Sequence, residues 1–169
     1  FYGHYDVQPV DPLDLSANDT SAQVLDSLMS IGATNIYFKD NSSMTPDGRY
    51  AVFISRASDL SYPLDRVQYD VYWRDIVQGI TKLASSNTNN GRGNGESVMP
   101  SVSDDGRYVV FLSKASDLVQ NATNGFVNVF RRDMQTGVTE LVSVPSNGIG
   151  AGNEDSFDAK ISGDGRQVA

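Results

Sequence analysis

Asp117, Asn121, Asn124 and Asn128 fall at the spacing of oxygen donors in a calcium loop. Calcium takes roughly six to eight oxygens, and tight sites favour charged carboxylates. Three of these four are neutral amides, and the upstream counterpart offers only Asp59, Asp65 and Asp70, so the stretch reads as a loop shaped by Asn and Asp side chains. Asp104-Asp105 and Glu154-Asp155 are adjacent acids of the type used in general acid–base work, but both fall at turn sequences and read as solvated turn residues. Gly91-Arg92-Gly93-Asn94-Gly95 is glycine-rich like a nucleotide loop. It recurs as Gly150-Ala151-Gly152-Asn153 and leads into no clear helix, which makes it a turn between repeated units. Nucleophilic catalysis by Ser or Cys needs a base, and this chain has no cysteine and a single histidine, His4. We expect no catalytic residues and no cofactor.

The elements that would position such groups are set by a repeat. Asp105-Gly106-Arg107 lies 58 residues beyond Asp47-Gly48-Arg49, and Asp164-Gly165-Arg166 lies 59 beyond that. Ile54-Ser55-Arg56-Ala57-Ser58-Asp59-Leu60 answers to Leu112-Ser113-Lys114-Ala115-Ser116-Asp117-Leu118, and Asp70-Val71-Tyr72-Trp73-Arg74-Asp75 to Asn128-Val129-Phe130-Arg131-Arg132-Asp133. One residue is inserted in the loop before the third copy, where insertions are tolerated. A long fixed period is the signature of propellers, solenoids and arrays.

Each copy holds four short apolar runs: in the second copy Val98–Ser103, Tyr108–Ser113, Asn128–Arg132 and Val138–Ser143. Asp-Gly and Thr-Gly turns join them, which predicts a four-stranded antiparallel meander. In the second run, Tyr108, Val110 and Leu112 oppose Val109 and Phe111. Both faces are apolar, so the sheet must be covered on both sides. Stacked four-stranded sheets are what a β-propeller contains. Tyr72 and Trp73 then read as packing between units, although an exposed aromatic there would suit a sugar or peptide. We expect an all-β fold of β-propeller-type four-stranded antiparallel blades, about two complete and others partial. The blade units run from about 44 to 102 and from about 103 to 161, with a third starting at 162.

The chain has 169 residues, with 13 Lys and Arg against 21 Asp and Glu, for a net charge of −8. Nucleic acid and anionic membrane surfaces call for clustered positive charge, so neither is an expected partner. The longest apolar run is far too short for a membrane-spanning helix. Both ends look cut, and we expect the chain to be a piece of something longer. A ring needs about four blades or more. A shorter stack leaves apolar end faces exposed, so we expect a homo-oligomer formed through them.

The pattern Ser-x-Asp-Gly-Arg-Tyr-x-x-Phe-x-Ser, then Asp-Val-Phe-x-Arg-Asp, then Gly-x-Thr-x-Leu-Val-Ser resembles the TolB-like and WD-like β-propeller repeats. The resemblance covers residues 42–169. Such repeats occur in periplasmic, secreted and cell-surface bacterial proteins. The resemblance therefore implies an extracytoplasmic location and a scaffold that binds a protein or glycan partner. Fold alone does not fix activity, and a propeller accompanying a catalytic domain outside this chain is an alternative.

Residues 1–41 form an atypical segment. Ser21 to Ile31 has apolar residues at helical spacing, with Gly32 placed to end a short helix. Asn35 to Asp40 repeats the third-strand motif but precedes Asp47 too closely, so the intervening fourth and first strands must be compressed or missing. Gly3-His4-Tyr5-Asp6-Val7-Gln8-Pro9-Val10-Asp11-Pro12-Leu13 is similar to the metal-site segment of carnosinase-type zinc dipeptidases. That resemblance implies His4 as a zinc ligand, with Asp6 supporting the site. A hydrolytic zinc site needs about three protein ligands and an open position. The family's later motifs, with a bridging Asp, paired Glu and second His, are absent. The alternative reading is thus a fragment of a zinc-dependent hydrolase. The scaffold reading expects less than one zinc per purified chain; stoichiometric zinc that disappears in His4→Ala would favour the hydrolase fragment instead.

Overall fold

The computed structural model describes residues 42–57, 60, 68–120 and 125–169, all within one unit, Phe38–Ala169. The expected helix at Ser21–Ile31, the strand motif at Asn35–Asp40, and His4 and Asp6 lie outside the described residues. Among those described, eight strands form and no helix does. They are β1 (Ser42–Met44), β2 (Tyr50–Ser55), β3 (Asp70–Asp75), β4 (Ile80–Leu83), β5 (Ser97–Val102), β6 (Tyr108–Ser113), β7 (Asn128–Asp133) and β8 (Thr139–Leu141). They make two four-stranded antiparallel sheets in the orders β1-β2-β3-β4 and β5-β6-β7-β8. The fold is therefore all-β, with incomplete propeller-type blades, as the repeat predicts.

The strands follow the β-branched and aromatic runs, and the registers repeat. Tyr50 pairs with Asp75 and Ser55 with Asp70 in the first sheet; Tyr108 pairs with Asp133 and Ser113 with Asn128 in the second. The strand before the first Asp-Gly-Arg corner is present but short, at three residues against six in β5. β5 carries a bulge between Val98 and Ser101, where Met99 takes a left-handed conformation (φ 54°). Asp158, the Met99 counterpart, has φ 52°, so the third copy reproduces the kink. In that copy pairing is confined to a bridge between Ile161 and Val168.

Val109, Val110, Phe111 and Leu112 are all buried, so β6 is covered on both faces. Val109, Phe111 and Phe130 pack with Val52, Val71 and Trp73 of the first sheet. Val110, Leu112 and Val129 pack with Ala159 and Ile161 of the third copy. Successive copies therefore stack face to face. Burial of such side chains is worth about 1.5–3 kcal/mol each.

The Asp-Gly-Arg corners set the spacing of the stack. Gly106 has φ +71°, and a Cβ there would lie 2.0 Å from Cδ2 of Tyr50 in the preceding sheet. Trp73 Nε1 donates to the Gly106 carbonyl at 2.8 Å. Gly165 repeats this on the ring of Tyr108, and Arg131, the Trp73 counterpart, donates to the Gly165 carbonyl at 3.1 Å. Gly48 has nearly the same backbone (φ +70°), but among the described residues nothing lies within 4 Å of its Cβ direction. Left-handed strain costs about 1–2 kcal/mol for a residue with a Cβ, and overpacking a further 1–3. Gly106→Ala should therefore destabilise by about 3 kcal/mol or more, against about 1 for Gly48→Ala, as measured by urea unfolding. Equal effects would remove the inter-sheet contact from this account.

Candidate functional site

The corner motif is a self-contained hydrogen-bonded unit, made the same way three times. The Thr45, Ser103 and Ser162 hydroxyls each donate to the following carboxylate, of Asp47, Asp105 and Asp164, at 2.6 Å. Each carboxylate also accepts the backbone N–H two residues on, from Arg49, Arg107 or Arg166. These bonds hold the Asp47 and Asp164 carboxyls below the ordinary aspartate range, the hydroxyl donor being the largest cause in each. Asp105 is thus a turn-former, as its position implies.

The corner arginines then reach the ends of neighbouring strands. Arg49 Nη2 meets Asp75 Oδ2 at 3.2 Å. Arg107 Nη2 meets Asp133 Oδ2 at 2.7 Å, with Nε 3.2 Å from both carboxylate oxygens. Hydrogen bonding from Arg107 holds the Asp133 carboxyl well below its usual range. Burial opposes ionisation of Asp75, but the Gln78 N–H and Arg49 outweigh it and lower its pKa.

Between the corners lies a groove of about 460 Å³. Its floor is the Tyr50–Trp73 pair, stacked with centroids 5.1 Å apart. The Lys82 ammonium lies 5.5 Å over the Trp73 ring, and the Arg49 guanidinium 4.8 Å over that of Tyr50. Arg107 and Asp105 line the opposite wall. Lys82 forms no ion pair among the described residues, and Arg49 Nε is buried without an acceptor. The described lining carries Arg49, Lys82 and Arg107 against Asp75 and Asp105, with Arg49 paired to Asp75, above an aromatic floor.

The other candidates from the sequence resolve into structural roles. Asp117 accepts from Asn87 Nδ2 at 3.0 Å and from the Asn94 N–H at 2.9 Å, tying the connection between the sheets to the loop after β6. The Asn128 side chain accepts from Ser143 Oγ at 3.0 Å; Asn121 and Asn124 lie outside the described residues. Gly91–Gly95 lies in the connection between β4 and β5, where an added Cβ at Gly95 would strike the Ala115 backbone N at 2.6 Å. Asp155 accepts the Val127 N–H at 2.7 Å, and Asp104 packs against Gly163. Tyr72 is buried and stacks on Phe53, while Trp73 belongs to the inter-sheet core and also lines the groove. Among the described residues no group of three or more His, Cys, Asp or Glu is placed to hold a metal.

Two further features escaped the sequence reading. Asp70 is fully buried, and Arg92 pairs with it while also donating to the Gln68 carbonyl at 3.1 Å. Burial raises the Asp70 pKa, and Arg92 opposes the rise. Asn128 and Ala151 stand at the corresponding positions of the next copy, so both charges vanish together. That paired loss is a signal readable from the aligned copies. Arg132 is also buried.

No family model and no curated protein matches the chain. Solved structures do match. One, from Agrobacterium tumefaciens and described as a candidate TolB, aligns with a TM-score of 0.39 and 22% identity over 60% of this chain. The match takes in 32% of that protein, so this chain spans about a third of its length.

The Asp133 shift fixes a pH dependence. The unfolded chain binds a proton at Asp133 near pH 4, where the folded chain still holds the carboxylate charged. Its stabilisation is present above that pH and is lost as pH falls below about 4. Asp133→Asn should lower stability at pH 7 by about 1 kcal/mol, Arg107 being partly exposed and screened. It should also flatten the loss of melting temperature between about pH 5 and 2. An unchanged acid slope would mean that the pair contributes nothing measurable.

Proposed function

We propose that this chain is part of a non-enzymatic binding scaffold of an extracytoplasmic protein, with the Tyr50–Trp73 groove as its contact surface for acidic peptide segments of a protein partner. The observation that supports this most is the placement of Arg49 and Lys82 over two stacked aromatic rings. A sugar would need a bare ring face, and here cations lie over the rings. A carboxylate would instead find Lys82, which is exposed and forms no ion pair among the described residues. The extracytoplasmic setting is supported by the resemblance of the repeat. We further propose self-association, supported by Val77, Ile149 and Phe157, each about three-quarters exposed.

Trp73 is the chain's single tryptophan, so its fluorescence reports on the groove directly. Titration with an oligoglutamate peptide should give a saturable change that falls at least tenfold in affinity in Lys82→Glu, and oligolysine should give none. No change with oligoglutamate, or an equal change with oligolysine, would overturn the reading. Light scattering on the same samples addresses the second proposal: a discrete oligomer is expected, and a monomer across a wide concentration range would remove it.

A further inference from the structure

Arg132 on β7 is 7% exposed and faces the first sheet. Its Nη1 donates to Thr139 Oγ1 on β8 at 2.8 Å and contacts the Ser86 carbonyl at 3.4 Å. Nε is buried without an acceptor, and the Ser86 hydroxyl is likewise buried and unpartnered. No carboxylate pairs with Arg132 among the described residues, although the other deeply buried charges, Asp70 and Asp75, have Arg92 and Arg49. A buried, uncompensated guanidinium is costly, and each unmade hydrogen bond adds to that cost. Burial alone pushes the Arg132 pKa down, with no neighbouring charge acting on it. The Arg–Thr bond itself belongs to the repeat, since Arg74 donates to Thr81 at 2.9 Å. Arg74 is only half-buried and its Nε is not left orphaned in this way.

Arg132 opens onto a cavity of about 270 Å³. The described polar side chains lining it beside Arg132, Asn87, Thr88, Asn90, Gln120 and Thr139, are all neutral, and no acid and no second cation is among the described lining residues. We propose that this cavity binds a small monocarboxylate, with Arg132 as its counter-charge. Nε is too deeply buried for a ligand to reach, but Nη2 donates no hydrogen bond among the described residues, and a carboxylate oxygen can accept from it. One fixed positive charge balances one carboxylate; a phosphate dianion would leave a net negative charge in a cavity that supplies only neutral donors. The amide and hydroxyl groups around it serve the remaining lone pairs.

The test is an NMR titration of the arginine Nε–H resonances of the full chain with sodium acetate. Arg132 is identified by the signal lost in Arg132→Lys. A saturable shift of that signal with millimolar affinity is expected, and inorganic phosphate at matched ionic strength should bind at least tenfold more weakly. Thr139→Val, which keeps the guanidinium and removes a neutral neighbour, should weaken acetate several-fold. No saturable shift, or the same shift with sodium chloride, overturns the site. Phosphate binding as tightly as acetate overturns the carboxylate assignment. The wild-type titration decides these outcomes even where a variant fails to fold. The groove at Trp73 is read by a different probe, so the two proposals fail independently.

Discussion

The contact of a corner glycine with an aromatic ring of the preceding sheet is the constraint on which the rest of the described structure depends. Gly106 lies so close to Tyr50 that no side chain fits, and the Trp73 indole N–H closes on its carbonyl. Gly165 repeats the arrangement on Tyr108, with an Arg131 guanidinium in place of the indole. The two donors are different chemical groups at equivalent positions, yet both satisfy the same carbonyl. What the repeat preserves is therefore a hydrogen bond and a distance, rather than a residue type. With the distance fixed, Val109, Phe111 and Phe130 meet the first sheet as a dry layer.

The groove is a by-product of that spacing. Bringing a corner onto the preceding sheet leaves Tyr50 and Trp73 flat beneath it, and the corner arginines extend from its rim to the strand-end aspartates. Ordinary turn chemistry thus accounts for most of the charged groups near the groove. Lys82 is the cation that this scheme does not use. Buried charge is treated differently in the two copies. The first holds a matched Asp70–Arg92 pair, and the second replaces the acid with Asn128, whose amide meets the Ser143 hydroxyl. Removing both partners avoids the penalty of leaving one charge buried alone. Arg132 is the exception, and the cavity beside it gives that exception a use.

Much of the fold was legible because local chemistry repeats. Three Asp-Gly-Arg corners, the first two followed by apolar runs, place the hairpins, and the apolar residues on both faces of Tyr108–Ser113 demand cover on both sides. The bulge at Met99 was not legible, since a methionine in a left-handed conformation has no sequence signal. The third copy carries the same apolar run, Phe157 to Ser162, but forms only a bridge at Ile161. A strand needs a partner ladder as well as a pattern. The role of Asp117 as a loop fastener was foreseen in kind, although its partners, Asn87 and Asn94, lie 30 and 23 residues away; Asn128 instead opens β7 and accepts from Ser143.

The sequence by itself determined the period, the strands and the need to stack, because these follow from turn preferences and hydrophobic alternation within a few neighbouring residues. It also determined that the chain holds no cysteine and a single histidine, His4. Only the tertiary structure decided which charges are paired, which rings lie under cations, and that Arg132 is buried with no carboxylate beside it among the described residues. Those facts depend on the approach of side chains from different sheets, such as Arg132 and Ser86, 46 residues apart in the chain. Burial converts an ordinary surface-type residue into a strong local demand for a counter-charge, and burial is a property of the stack rather than of any segment in it.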